Sequence, residues 1–201
     1  MSRYRGAKLK IIRRLGELPG LTNKSTTRTV KAGHQRNKIY KKNTEYCLRL
    51  EEKQKLKFNY GLTENQLHNY IKKARQQEGN TGLILLQFLE MRLDTICFSL
   101  GFAPTMGSAR QLVNHGHITV NNQKVDIPSF QCKKNDKISF HNEISKTLVK
   151  NNLITNTFKK LPTHLELNQT NDYAKINDFC CRESVLLSLN ELIVIEYYSR
   201  K

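Results

Sequence analysis

Met91-Arg-Leu-Asp-Thr-Ile-Cys-Phe-Ser-Leu-Gly-Phe-Ala-Pro-Thr105, continued by Ala109-Arg-Gln-Leu-Val-Asn-His-Gly-His-Ile-Thr-Val-Asn121, decides the fold class of this chain. Leu93, Ile96, Cys97 and Leu100 recur at the spacing of one buried helical face and end at Gly101. After Pro104 a shorter helix is predicted from about Ser108 to His115, with Ala109, Leu112 and Val113 inward and Gly116 as its stop. The period then falls from 3.6 to 2. Ile118 to Val120 and Lys124 to Ile127 read as short strands around the tight turn Asn121-Asn122. Ile138 to Phe140 reads as a third strand after the turn-like Lys134, Asn135 and Asp136. Helix, turn, helix and a small antiparallel sheet define an α+β module over residues 90–152.

Outward from the module the chain is mostly helical. Thr81 is placed to cap a helix through Leu83, Leu86, Phe88 and Leu89. Before it, Thr63 and Gln66 have the spacing of a capping box, ahead of Leu67, Tyr70, Ile71 and Ala74 on one face. From Thr44 to Gly61, Tyr46, Leu48, Leu50, Leu56 and Phe58 form a partial apolar stripe among many charges. These segments, 44–89, are expected to form a helical body completed by residues 185–201, where Ile193, Ile195, Tyr197 and Tyr198 suggest a terminal strand or an ordered tail packing back. Residues 153–184 read as an irregular extension. Residues 1–43 read as an extended basic arm, with Ile11, Ile12, Leu15, Leu18 and Leu21 able to anchor a short helix.

Charge narrows the partner. The chain has 34 Lys and Arg against 17 Asp and Glu, a net charge of +17, well beyond what solubility needs. Roughly half of the basic residues fall in the first 60 positions, opposed there only by Glu17, Glu45, Glu51 and Glu52. Such an asymmetry calls for a polyanion. A membrane is the weaker candidate, because the longest apolar runs, Leu83 to Leu86 and Leu192 to Ile195, fall far short of the roughly 20 residues that span a bilayer. A surface-lying amphipathic helix would also need an apolar face opposite the basic one, and Trp is absent. Nucleic acid remains.

The chemistry of an enzyme is missing from the pattern. No Walker loop, dinucleotide glycine pattern or framed nucleophile and base occurs. Asp94 is the acid nearest to a buried helix face, and its expected role is an ion pair with Arg92 or Arg110. The cysteines, Cys47, Cys97, Cys132, Cys180 and Cys181, are odd in number and lack framework or zinc spacing, so neither disulfides nor a metal is expected. His115 and His117 flank Gly116 at a turn and suit phosphate contact better than metal ligation. No small-molecule substrate or cofactor is expected, and the first 20 residues carry no sign of a cleaved leader. The abundance of Lys, Asn and Ile, which have A+T-rich codons, points weakly to an organelle genome.

The quoted stretch, with Val125-Asp-Ile-Pro128, resembles the RNA-binding module named after small-subunit ribosomal protein four. Three further stretches resemble the plastid and cyanobacterial branch of that ribosomal family. They are Met1 to Gly6 with Leu9 to Leu21, Arg49 to Thr63, and Asn190 to Ser199, so the resemblance covers nearly the whole chain. Ala7 stands where the branch usually has Pro, Lys31 to Arg36 is shortened against a Gly-Gln-His-Gly turn, and Met106 replaces a frequent Arg. Some relatives carry a zinc-binding cysteine cluster in the arm; here no cysteine precedes Cys47.

The resemblance implies a structural constituent of the small subunit of a plastid ribosome, and a primary binder of 16S-type rRNA that nucleates assembly of the subunit body. It also implies an interface with small-subunit ribosomal protein five that supports decoding accuracy, other small-subunit proteins as neighbours, and proximity to the mRNA entry region. RNA contacts are expected in the arm from Arg3, Tyr4, Arg5, Lys8, Lys10, Arg13, Arg14, Lys24, Arg28 and Arg36. In the body they are expected from Lys53, Lys57 and Lys72, and in the module from Arg92, Arg110, Gln111, His115, His117 and Lys124. The alternatives are a free-standing regulatory RNA binder with the same module and, less compatible with the short C-terminal remainder, an RNA-modifying enzyme.

Overall fold

The computed structural model describes residues 4, 6–27, 44–147, 149, 161–168 and 173–199. In chain order the helices are α1 (Lys8–Leu15), α2 (Glu45–Asn59), α3 (Glu64–Arg75), α4 (Thr81–Glu90), α5 (Leu93–Ser99), α6 (Met106–Asn114), α7 (143–147) and α8 (Glu191–Ser199). The strands are β1 (Ile118–Val120), β2 (Gln123–Lys124), β3 (Lys137–Phe140), β4 (Leu165–Asn168) and β5 (Tyr173–Ile176). The chain divides into two compact units, Met1–Gly82 with Leu187–Lys201 and Leu83–Leu186.

The first unit is helical, and its helix ends are held by side chains. Thr44 accepts from the Cys47 amide at the start of α2. At α3 the capping box closes in both directions, Gln66 N–H to Thr63 Oγ1 at 3.3 Å and Thr63 N–H to Gln66 Oε1 at 3.0 Å. Leu67, Ile71 and Ala74 form its buried face, as their spacing predicts. α1 buries Ile11, Ile12 and Leu15, and Gly16, at φ +92°, ends it with its N–H on the Ile12 carbonyl. The chain beyond α1 is tied to α2 where Gly20 N–H donates to the buried Asn59 Oδ1 at 2.9 Å.

The terminal segment packs back on α2, but as a helix and not as a strand. Ile193 and Ile195 suggest a period of two, yet the buried residues are Val194, Tyr197 and Tyr198, one face at helical spacing. Asn190 Oδ1 accepts from the Leu192 amide and starts the helix, while the Asn190 amide donates to Glu52 on α2. Its tyrosines decide the matter: Tyr197 lies beneath Lys53 Nζ, 4.5 Å from the ring centre, and the Tyr198 hydroxyl donates to Glu64 Oε1 at 2.6 Å.

In the second unit α5 and α6 pack together, and five strands form an antiparallel sheet of order β2-β1-β3-β5-β4. The predicted hairpin forms with Asn121 and Asn122 both left-handed, at φ +50° and +65°. β2 covers Gln123–Lys124 instead of Lys124 to Ile127, with one further bond to β1 from Val125 N–H to the Ile118 carbonyl. α6 begins at Met106, earlier than expected, because the Thr105 side chain accepts from the Ser108 amide.

Three expectations are corrected. Residues 153–184 are not wholly irregular, since β4 and β5 extend the sheet: Ile138 pairs with Ala174 and Leu167 with Ala174. α4 from Leu83 onward sorts with the sheet-bearing unit instead of the helical body. Leu85, Leu86 and Leu89 are 0–2% exposed there, and Cys132 N–H bonds the Met91 carbonyl just past the helix. The cap of α4 is Asn80, whose Oδ1 accepts from Gly82 N–H, and Thr81 is its first residue.

Candidate nucleic-acid interface

Cationic side chains in this protein fall into two physical classes, and burial separates them. Arg92 is 2% exposed and grips a fully buried Asp94, its Nε on Oδ1 at 2.9 Å and its Nη2 on Oδ2 at 2.7 Å. Arg110 reaches the same Oδ2 from α6 through Nη2 at 2.9 Å and Nε at 3.2 Å, and the Thr95 amide donates to Oδ1. The carboxylate is positioned by backbone bonds from Leu93 to Phe130 and from Asp94 to Pro128. Both pairings foreseen for Asp94 are present. Arg92, expected as an RNA contact, is thus buried with its guanidinium engaged on a buried carboxylate, the setting of a structural ion pair. Arg110 is largely buried in the same clamp.

In the helical unit Lys53 is likewise buried, with Nζ 2.9 Å from Glu64 Oε1. The RNA contact expected at Lys53 thus falls on a buried, paired side chain. Lys57 reaches the other oxygen of Glu64 at 3.4 Å and is partly exposed. Burial pushes the Glu64 carboxyl up, but the Tyr198 hydroxyl, Lys53 and Lys57 outweigh it and hold the group below the usual carboxylate range.

The second class remains open to solvent. On the module, Gln111, Asn114 and His115 are exposed along α6 and its C-terminal turn. Gly116 follows at φ +72°, and a Cβ there would collide with the Lys124 side chain, which lies across it. His117 is half-buried with Nδ1 3.0 Å from Ser145 Oγ, and its ring centre is 6.0 Å from that of His115. His115, His117 and Lys124 thus meet at one helix-to-strand turn, with Gln111 exposed one helical turn before it. Lys124 makes no ion pair among the described residues.

In the helical unit Lys10, Arg14 and Lys24 are exposed, and Arg13 is half-buried. Lys8 donates to the Leu21 carbonyl. Lys10, Arg13 and Arg14 line an open cleft of about 630 Å³ between α1 and α2, floored by Ile11, Leu15, Leu50 and Phe58. Tyr4 stands edge-on to Phe58 at 5.4 Å and is half exposed. Lys72 is exposed on α3. Arg3, Arg5, Arg28 and Arg36 lie outside the described residues.

Sequence reasoning did not single out Tyr173 and Lys175, which stand on β5 beside β3. The alternation Tyr173-Ala-Lys-Ile176 was the available signal. Burial pushes the Cys97 and Cys132 thiols up, Cys132 to about 12, so neither offers a thiolate to a metal. Among the described residues no cluster of His, Cys, Asp and Glu is arranged to hold a metal ion, and no helix is long and apolar enough to cross a membrane.

Two family models match adjoining parts of the chain: ribosomal protein S4/S9 N-terminal domain over residues 3–90 and S4 domain over 91–138. The small ribosomal subunit protein uS4c of Trieres chinensis is 60% identical, with 100% of both chains covered. The protein of the same name from Phaeodactylum tricornutum is 59% identical, and the small ribosomal subunit protein uS4 of Cyanothece sp. is 55% identical, again over 100% of both chains.

Proposed function

This chain belongs to the ribosomal protein S4 family, and from that premise we propose that it is a primary binder of small-subunit, 16S-type rRNA that nucleates assembly of the subunit body. It is a structural constituent of the small ribosomal subunit in the plastid, and not an enzyme. The observation that carries the RNA reading is the turn after α6, where Lys124, which makes no ion pair among the described residues, is held over Gly116 beside His115 and His117. A compact scaffold with cations and hydrogen-bonding side chains at one turn suits an RNA junction, where shape and phosphates are read more than base edges. Lys10, Arg14, Lys24 and Lys72 add open positive charge in the helical unit. An interface with small-subunit ribosomal protein five that supports decoding accuracy, contact with other small-subunit proteins, and proximity to incoming mRNA complete the reading.

Affinity should rest mainly on phosphate contacts, so binding to a small-subunit rRNA transcript should weaken steeply with salt, by a log-log slope of about 0.7 to 0.9 for each phosphate neutralised. Replacing Lys124 by Gln with His115 by Ala should weaken binding and flatten that slope. In cells the protein should sediment with small subunits at one copy each. Absence from purified small subunits, or indifference to the transcript at low salt, would overturn the proposal.

A further inference from the structure

We propose that the polar face of the five-stranded sheet, built by Lys137, Tyr173 and Lys175 with Ser139, is a second RNA-binding surface that takes a phosphate–ribose backbone. The inference rests on the RNA-binding reading above and assigns to it a separate face.

The register places these residues together. Thr119 pairs with Lys124 on one side and Ser139 on the other, Ser139 pairs with Tyr173, and Tyr173 with Asn168. Because side chains alternate along a strand, these point to one side of the sheet. The next row on that side is Lys137, Lys175 and Glu166. The opposite side carries Ile118, Ile138, Ala174, Ile176 and Leu165, each 0–3% exposed, and is core. With strands about 4.8 Å apart, the row from Lys124 to Tyr173 spans roughly 14 Å.

Charge on this face is only partly balanced, with Lys175 directly opposite Lys137 on one side and Glu166 on the other. Lys137 and Lys175 stand directly opposite each other, where sheets favour opposite charges and like charges are destabilising. Glu166 flanks Lys175 but forms no ion pair with it, and neither lysine is paired among the described residues. Elsewhere in the same unit Lys134 pairs with Asp178 and Lys146 with Glu143. Lys137 Nζ sits 5.6 Å from the Tyr173 ring centre, so cation and ring form one element. The Ser139 hydroxyl, 2.7 Å from that of the buried Thr119, and the Tyr173 hydroxyl add donors and acceptors suited to phosphate and ribose oxygens. A protein partner fits less well. Protein interfaces are depleted of lysine at their centre and seek apolar anchors, and Tyr173 is the one ring on this face among the described residues.

The test uses the full chain with a small-subunit rRNA transcript titrated across salt. Lys137→Gln with Lys175→Gln should lower affinity several-fold and make the log-log slope shallower by about 1.4 to 1.8, two phosphates' worth. If the unaltered chain binds and the double variant keeps the same affinity and slope, the sheet face is not an RNA surface, although the turn after α6 can still be one. If the unaltered chain does not bind, it is the functional reading that fails. Photo-crosslinking of the unaltered chain in assembled small subunits gives a readout free of any folding effect of the substitutions. Nucleotides joined to the peptide bearing Tyr173 and Lys175 are expected. Crosslinks from that peptide to protein alone would overturn the proposal.

Discussion

The α2–α8 packing and the polar side of the sheet both carry lysine, and they treat it in opposite ways. On α2, Arg49 lies between Glu45 and Glu196, Lys53 and Lys57 share Glu64, and Lys55 pairs with Glu52. On the sheet, Lys124, Lys137 and Lys175 make no such pairs among the described residues. A count of basic residues therefore says little about where an anion will bind. What matters is whether the local fold has already supplied the carboxylate.

Removing a carboxylate from the paired class should have the largest effect. Asp94→Ala leaves Arg92 buried and Arg110 nearly so without their counter-charge, and should cost about 3–5 kcal/mol of stability in urea denaturation. A loss under about 1 kcal/mol would show that the clamp is dispensable. Glu64→Gln should cost less, about 1 kcal/mol, because the carboxylate is partly exposed and solvent screens it. In the parent chain the folded Glu64 lies below its ordinary pKa, so its contribution is complete above about pH 4.5 and is lost as pH falls through the folded value. A variant whose acid unfolding matched the parent's would break that link.

His164 tests a buried, desolvated group. It is 4% exposed, neither ring nitrogen has a hydrogen-bond partner among the described residues, and burial pushes its pKa below the ordinary 6.5. The unfolded chain then binds the proton more readily, so stability is full above about pH 6.5 and declines as pH falls below it. His164→Leu should flatten that decline, as a series of thermal melts from pH 7.5 to 5.5 would reveal. The smallest effect on folding is expected on the sheet, where Lys137→Gln should change stability by no more than about 0.5 kcal/mol, toward greater stability because it relieves Lys175. A loss of several kcal/mol there would place Lys137 in the structural class.

The sequence made legible those parts whose signals are local. The capping box at Thr63 and Gln66, the hairpin turn at Asn121-Asn122 and the pairing of Asp94 with its arginines each depend on residues close in the chain or on one strong charge. The parts that escaped depend on distant partners. β4 and β5 are short, pair with each other, and join the sheet only where β5 meets β3 across a long intervening segment, so alternation over four residues had no visible neighbour. Ile193 and Ile195 carry strand propensity that α8 overrides by docking Val194, Tyr197 and Tyr198. Arg92 and Lys53 could not be told from surface cations, because their burial is a property of packing and not of residue type.

The crossing of Lys124 over Gly116 has a consequence for how the turn can vary through descent. A side chain at 116 would strain a backbone held at φ +72° and also evict the lysine from its resting place. The two positions, eight residues apart, are thus bound into a single heritable unit: a lineage that fills the first must find another course for the second, and one that shortens the second relaxes the steric demand on the first while the backbone's handedness keeps its own.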